Sequence, residues 1–199
     1  MVDHRKKVNY KGINLNKPNK LNRLKGLATY LSGPIDFAED MGCKWRNDLT
    51  PFLEDMNIKV FNPLRHAFVG ADKIPEKRIR MDKLLTEEKF TELHKEMKEL
   101  VHMDLRSVDL ASFLIVHYDS TVSMCGTLEE LFKCNMQVKP VLLVHKEPRK
   151  QLSSWLYGRL PPEHFFANWD ELKIYLTSIN SNPNYEFTKA DRKRWLLFQ

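Results

Sequence analysis

The eight residues Ala111-Ser112-Phe113-Leu114-Ile115-Val116-His117-Tyr118 constrain the fold more than any other stretch. They are apolar at successive positions and rich in β-branched and aromatic side chains, which reads as a buried strand. Leu27–Ser32, ending at Gly33-Pro34, is a second run of this kind. Ile58–Phe61, closed by Asn62-Pro63, and Val141–Val144 are two more. Helical spacing lies between them. Trp45, Leu49, Phe52, Leu53 and Met56 mark an amphipathic helix, and Pro51 inside that pattern either starts or bends it. Thr86–Met103 reads as a helix with Phe90, Leu93, Met97, Leu100 and Val101 on one side. Glu129–Gln137 and Trp169–Ile179 are further helices, while the mixed, basic stretch 64–82 shows no period. Strands alternating with helices predict an α/β fold around a mostly parallel sheet with right-handed crossovers.

A chain of 199 residues suits one domain. The net charge of +6 is uneven: residues 1–26 hold eight Lys/Arg and one acid, so the remainder is close to neutral. We therefore read 1–26 as a basic, irregular arm and 27–199 as a single α/β domain. The arm is open to two readings, a solvated extension or a nucleic-acid contact. It has no aromatic interleaving and matches no nucleic-acid module. No run of 18 apolar residues predicts a membrane span, and Met1–Lys7 lacks the apolar segment of a signal peptide. Three cysteines without metal-ligand spacing fit reduced thiols and a cytoplasmic setting.

Two segments place polar groups directly after strand-like runs, where ligands bind in open α/β sheets. In the first, Ser32, Gly33 and Asp36 form a tight loop whose small residues let a ligand approach the backbone. It is neither a Walker loop nor GxGxxG. In the second, Gly126 allows a sharp turn and Thr127 can cap the helix that follows. Glu130 then stands in the capping-box position, or it is a buried carboxylate able to act as nucleophile or base. Glu129 faces solvent on either reading. Asp104 can cap a turn or sit beside Glu130 to manage a proton. Arg46 can bind a phosphate or pair with Asp48 or Asp40, and Ser123 can offer its hydroxyl or shape its turn. Trp45, Phe37 and Tyr30 can stack on a base or belong to the core. His117 reads as a core residue. The seven histidines show no spacing such as HExxH, so no metal is expected.

Taken in order, Tyr30-Leu31-Ser32-Gly33-Pro34, Asp104, Gly126-Thr127-Leu128-Glu129-Glu130-Leu131 and Lys139-Pro140-Val141 resemble the nucleoside 2-deoxyribosyltransferase family over residues 27–145. Trp45-Arg46 and Asn62-Pro63 are most similar to its phage and bacterial branch. The resemblance implies a flavodoxin-like sheet with helices on both faces, a nucleoside or nucleotide substrate and no cofactor. It implies Glu130 as the nucleophile on C1′ of deoxyribose and Asp104 as the carboxylate that handles the base's proton. Tyr30, Ser32, Gly33, Pro34, Asp36 and Phe37 would surround base and sugar, with Ser123, Met124, Gly126 and Thr127 opposite. The covalent sugar would pass to a second base or to water. Met124 departs from the pattern, since many members carry an aspartate there that holds sugar hydroxyls. Related 5′-monophosphate N-hydrolases use serines and an arginine, for which Ser123 and Arg46 are stand-ins. Members often complete the pocket with a neighbouring subunit, which implies a homo-oligomer. A non-catalytic nucleotide-sensing module is the competing class.

Overall fold

The computed structural model describes residues 21–36, 38–65 and 74–198. Five strands, β1 (Ala28–Ser32), β2 (Lys59–Phe61), β3 (Phe113–Tyr118), β4 (Val141–His145) and β5 (Phe165–Phe166), form one sheet in the order β2-β1-β3-β4-β5. Every pairing is parallel, and Ser32 at the end of β1 pairs in register with Val116 of β3. This is the flavodoxin-like strand order, with its switch point between β1 and β3. The helices are α1 (Cys43–Asp55), α2 (Ile74–Thr86), α3 (Phe90–Leu110), α4 (Cys125–Met136), α5 (Ser154–Tyr157), α6 (Trp169–Ser181) and α7 (Lys189–Arg194).

The continuous apolar strands are explained by a core on each side of the sheet. On one side Leu31, Phe113, Ile115, Leu142 and Val144 pack against Trp45, Leu49 and Leu53 of α1 and Leu172, Leu176 and Ile179 of α6. On the other, Tyr30, Leu114, Val116, Val141 and Leu143 pack against Val108 of α3 and Leu131 and Cys134 of α4. Each such large apolar side chain contributes about 1.5–3 kcal/mol by leaving water.

The structure differs from the sequence-based boundaries in four places. Helix α1 runs through Pro51, so it does not start there. Asp40 accepts hydrogen bonds from the Gly42 and Lys44 amides at its N-terminus, at 2.9 and 2.8 Å. The expected helix 86–103 is divided: α2 ends at Thr86, Glu88 takes a positive φ of 54°, and α3 begins at Phe90. The amides of Glu87, Glu88 and Lys89 bond back to the last turn of α2, which closes that helix. Helix α4 begins at Cys125, ahead of the expected Glu129. Finally, residues 21–26 of the expected arm pack on the domain. Leu24 is fully buried, and the Arg23 guanidinium donates to the Ile179 and Asn182 carbonyls. Residues 1–20 lie outside the described residues. No helix among the described residues is long and apolar enough to cross a membrane.

Candidate active site

Strand alternation puts Tyr30 and Ser32 on the same face of β1, toward α3 and α4. Helix α4 turns Glu130 toward them from the other side. The Tyr30 hydroxyl donates to Glu130 Oε1 at 2.9 Å, and the Ser32 hydroxyl donates to Glu130 Oε2. Both donors and the carboxylate are buried. Residues 98 and 100 positions apart thus meet at the carboxyl end of β1, beside the switch point.

This placement corrects the capping reading. With Met124 as N-cap and Cys125 opening the helix, Thr127 is already inside α4. Glu130 lies more than a turn into the helix and cannot serve the Thr127 amide. It belongs to the buried stripe with Thr127, Leu131 and Cys134, while Glu129 is exposed as expected. Gly126 makes no sharp turn either: its φ is not positive, and a Cβ there would meet nothing within 4 Å.

Burial pushes the Glu130 carboxyl up from its ordinary 4.5 to about 7. The negative charge of Asp104 pushes the same way, whereas the Ser32 and Tyr30 hydrogen bonds and the Arg46 charge favour the ionised form. Asp104, half-buried on α3, thus lies within electrostatic reach of Glu130 and also of Tyr30. Burial raises the Tyr30 phenol well above its ordinary value, followed by the effect of Glu130, so Tyr30 remains a neutral donor. The result is a desolvated carboxylate, half-ionised near neutral pH, with two oriented hydroxyl donors and a second carboxylate nearby. Such a group can attack carbon or exchange a proton.

The remaining expected residues fall in different places. Gly33 and Pro34 are buried behind Ser32, and a Cβ on Gly33 would stand 3.0 Å from Trp45 Cζ2 and 3.2 Å from His117 Cβ. Asp36 is exposed, and Phe37 lies outside the described residues. Ser123 is exposed; Met124 is buried and its sulfur accepts from the Asp119 amide at 3.4 Å. Thr127 is buried. Arg46 is fully buried and pairs with neither Asp40 nor Asp48. It donates instead to the carbonyls of Leu31, Gly33, Met41 and Gly42, and Asp48 pairs with Lys44.

Trp45 and Tyr30 are not brought together. Trp45 sits on the opposite face of the sheet, stacked on Trp169 at 5.0 Å and tilted against His117 at 5.5 Å. His117 is therefore not sealed in the core. It lines a cleft of about 410 Å³ between α1 and α6 with Trp45, Trp169, Lys44 and Lys173, and burial lowers its pKa. Sequence reasoning also missed a buried polar cluster near the C-terminus. Asp191 accepts from Tyr175 at 2.6 Å, lies 3.3 Å from His164 Nε2, and holds a capping box with Thr188. The Thr188-x-x-Asp191 spacing was its one local signal. Among the described residues no group of three His, Cys, Asp or Glu side chains is placed to hold a metal ion.

No protein-family model matches the chain, and neither does any curated protein. Solved structures do. A 2-deoxyribosyltransferase from the psychrotolerant bacterium Bacillus psychrosaccharolyticus superposes with a TM-score of 0.52 at 18% identity, covering 85% of this chain and 99% of that one. A 2-desoxiribosyltransferase from Leishmania mexicana gives 0.39 at 17% identity, over 62% of this chain and 67% of its own. A CMP N-glycosidase from Clostridium botulinum gives 0.42 at 17% identity, over 76% and 96%. The Bacillus structure carries the comparison, and what it has in common with this chain is the five-stranded, all-parallel, flavodoxin-like α/β fold.

Proposed function

We propose that this protein is a nucleoside or nucleotide deoxyribosyltransferase that cleaves the N-glycosidic bond through a covalent glycosyl–Glu130 intermediate. The observation that carries the reading is the buried Glu130 carboxylate held by the Tyr30 and Ser32 hydroxyls at the carboxyl end of β1. The fold it has in common with a 2-deoxyribosyltransferase supports it.

In the first step a Glu130 oxygen bonds to C1′ as the C1′–N bond breaks. The bonding pair leaves with the base, whose nitrogen takes from Asp104 the one proton that the Asp104–Glu130 pair holds, lying on Asp104 while Glu130 is ionised for attack. In the second step the nitrogen of an incoming base attacks C1′, its proton goes to Asp104, and the Glu130 carboxylate is released. Two carboxyl groups flanking an oxocarbenium-like transition state follow the logic of retaining glycosidases. The Tyr30 and Ser32 donors hold the attacking group in one orientation. A sugar without a 2′-hydroxyl forms the cation more readily, which favours deoxyribose. Gly33, Pro34 and Asp36 would border base and sugar on the β1 side, with Ser123, Met124, Gly126 and Thr127 on the α4 side. Because the Met124 sulfur is a weak acceptor already engaged by the Asp119 amide, recognition of sugar hydroxyls there rests on neighbouring groups.

The test is incubation with a deoxynucleoside plus a different free base, and separately with deoxynucleoside 5′-monophosphates. Formation of the new nucleoside is expected. Free base without new nucleoside would replace transfer with hydrolysis, and no turnover by the folded protein in either mixture would refute the enzyme reading.

A further inference from the structure

Among the described residues Arg46 is the largest charged side chain in the interior, and it forms no ion pair with any of them. It is fully buried, and its Nε donates to the Leu31 carbonyl at 3.2 Å while Nη2 donates to the Gly33 carbonyl at 2.9 Å. Those two carbonyls flank Ser32. Nη1 reaches the Met41 and Gly42 carbonyls at 3.3 and 3.0 Å, tying the start of α1 to the end of β1. The guanidinium also lies over the Trp45 ring, 4.5 Å from its centroid. A planar fork with five donors can bridge carbonyls in this way, and an ammonium cannot.

We propose that Arg46 is a positioning residue that fixes Ser32, and through Ser32 orients the Glu130 carboxylate, rather than a ligand for a substrate phosphate. Four of its donor bonds are spent on backbone carbonyls. With Leu31 O and Gly33 O held by one rigid group, the backbone on both sides of Ser32 is immobilised, and the Ser32 hydroxyl is aimed at Glu130 Oε2. Side chains locked by such supporting bonds are what keeps a reacting group within tenths of an ångström of its working place. The Arg46 charge acts on Glu130 as well: it favours the carboxylate against the effects of burial and of Asp104. Among the described residues, the charged or titratable groups that act most on Glu130 are Arg46, Asp104 and Tyr30. Burial lowers Arg46 itself only to about 10, so it keeps its charge at neutral pH.

This inference rests on Glu130 being the nucleophile, and its test separates the two. Arg46→Lys keeps a charge and loses the fork. It is expected to lower kcat about tenfold or more while KM for nucleosides and for 5′-monophosphates stays within about twofold. In a Ser32→Ala background the same change should cost at most about twofold, because residues acting as one unit are not additive. Arg46→Gln, which removes the charge, should move the Glu130 carboxyl titration, followed by isotope-edited infrared spectroscopy, upward by about one pH unit. Should both Arg46 variants fail to fold, Gly42→Ala perturbs the same clamp with the charge retained. Its Cβ would collide with Arg46 Nη1, so it too should lower kcat in the wild-type background and much less in Ser32→Ala. A KM increase confined to monophosphates with kcat unchanged would overturn the proposal and put Arg46 on phosphate. So would an equal kcat loss with and without Ser32. An inactive wild-type protein would refute the enzyme reading alone, and the Glu130 titration would then decide the clamp: an unmoved midpoint overturns it.

Discussion

Replacing Glu130 by Gln removes a buried titrating group while keeping its shape. The carboxyl is raised from 4.5 to about 7, chiefly by burial and next by the charge of Asp104, against the hydrogen bonds from Ser32 and Tyr30. At about 1.4 kcal/mol per pH unit, that interval corresponds to about 3 kcal/mol. The sign follows from proton binding. The native state holds this proton more tightly than the unfolded chain, so the group's contribution to stability is complete below pH 4.5. It declines as pH rises and is gone above about 7. Glu130→Gln does not titrate and escapes the decline. Urea unfolding of both proteins between about pH 4.5 and 8.5 should therefore give a stability difference that climbs toward the variant by about 3 kcal/mol and levels above neutrality. Other titrating groups are common to both proteins and cancel. A difference independent of pH in that range would mean that Glu130 ionises like an ordinary surface carboxylate, and the desolvation argument would be wrong. The same variant should be inactive, because an amide does not form the glycosyl ester.

Tyr30→Phe should lower kcat about tenfold and shift the acid limb of kcat/KM upward, since the lost hydrogen bond favours the ionised carboxylate; a pH–rate profile checks both. Asp191→Ala leaves Tyr175, His164 and Thr188 without their common acceptor in the interior, so chemical denaturation should show a loss of about 3–5 kcal/mol. In the wild-type protein the Asp191 contribution should fade on acidification, because its pKa is held below the ordinary value by the bonds from His164 and Tyr175 in spite of burial. Burial pushes the Cys134 thiol up to about 12, so a thiol reagent at pH 8 should label exposed Cys125 quickly and Cys134 only after unfolding, as read by peptide mass spectrometry.

What the sequence made legible was decided by the range of the interactions. Strands β1, β3 and β4 are buried on both faces, so continuous apolar runs mark them, and the alternation of strands with helices carried the α/β architecture. Strand β5 escaped because two residues, Phe165-Phe166, have no period. The division between α2 and α3 escaped because a non-glycine residue, Glu88, adopts the positive φ. Residues 66–73 and Phe37 lie outside the described residues. At the site, Glu130, Tyr30 and Ser32 stood in the right segments, but their meeting depends on β1 and α4 being neighbours across a hundred residues. Local rules instead suggested a capping box, a misreading caused by a helix that starts at Cys125. Arg46 was read for its charge, and nothing local to it announces the four carbonyls it binds. The Asp191 cluster shows locally only as the Thr188-x-x-Asp191 spacing, because its other members, His164 and Tyr175, lie 27 and 16 residues away.

The most direct measurement is to trap the sugar on the enzyme. A 2-deoxy-2-fluoroarabinosyl nucleoside slows breakdown of a glycosyl ester, and peptide mass spectrometry then locates the label. One sugar per chain on Glu130, absent in Glu130→Gln, is the predicted result. A label on Glu129, Asp104 or any other residue, or base release by the folded enzyme with no adduct, would contradict the assignment of Glu130 as nucleophile.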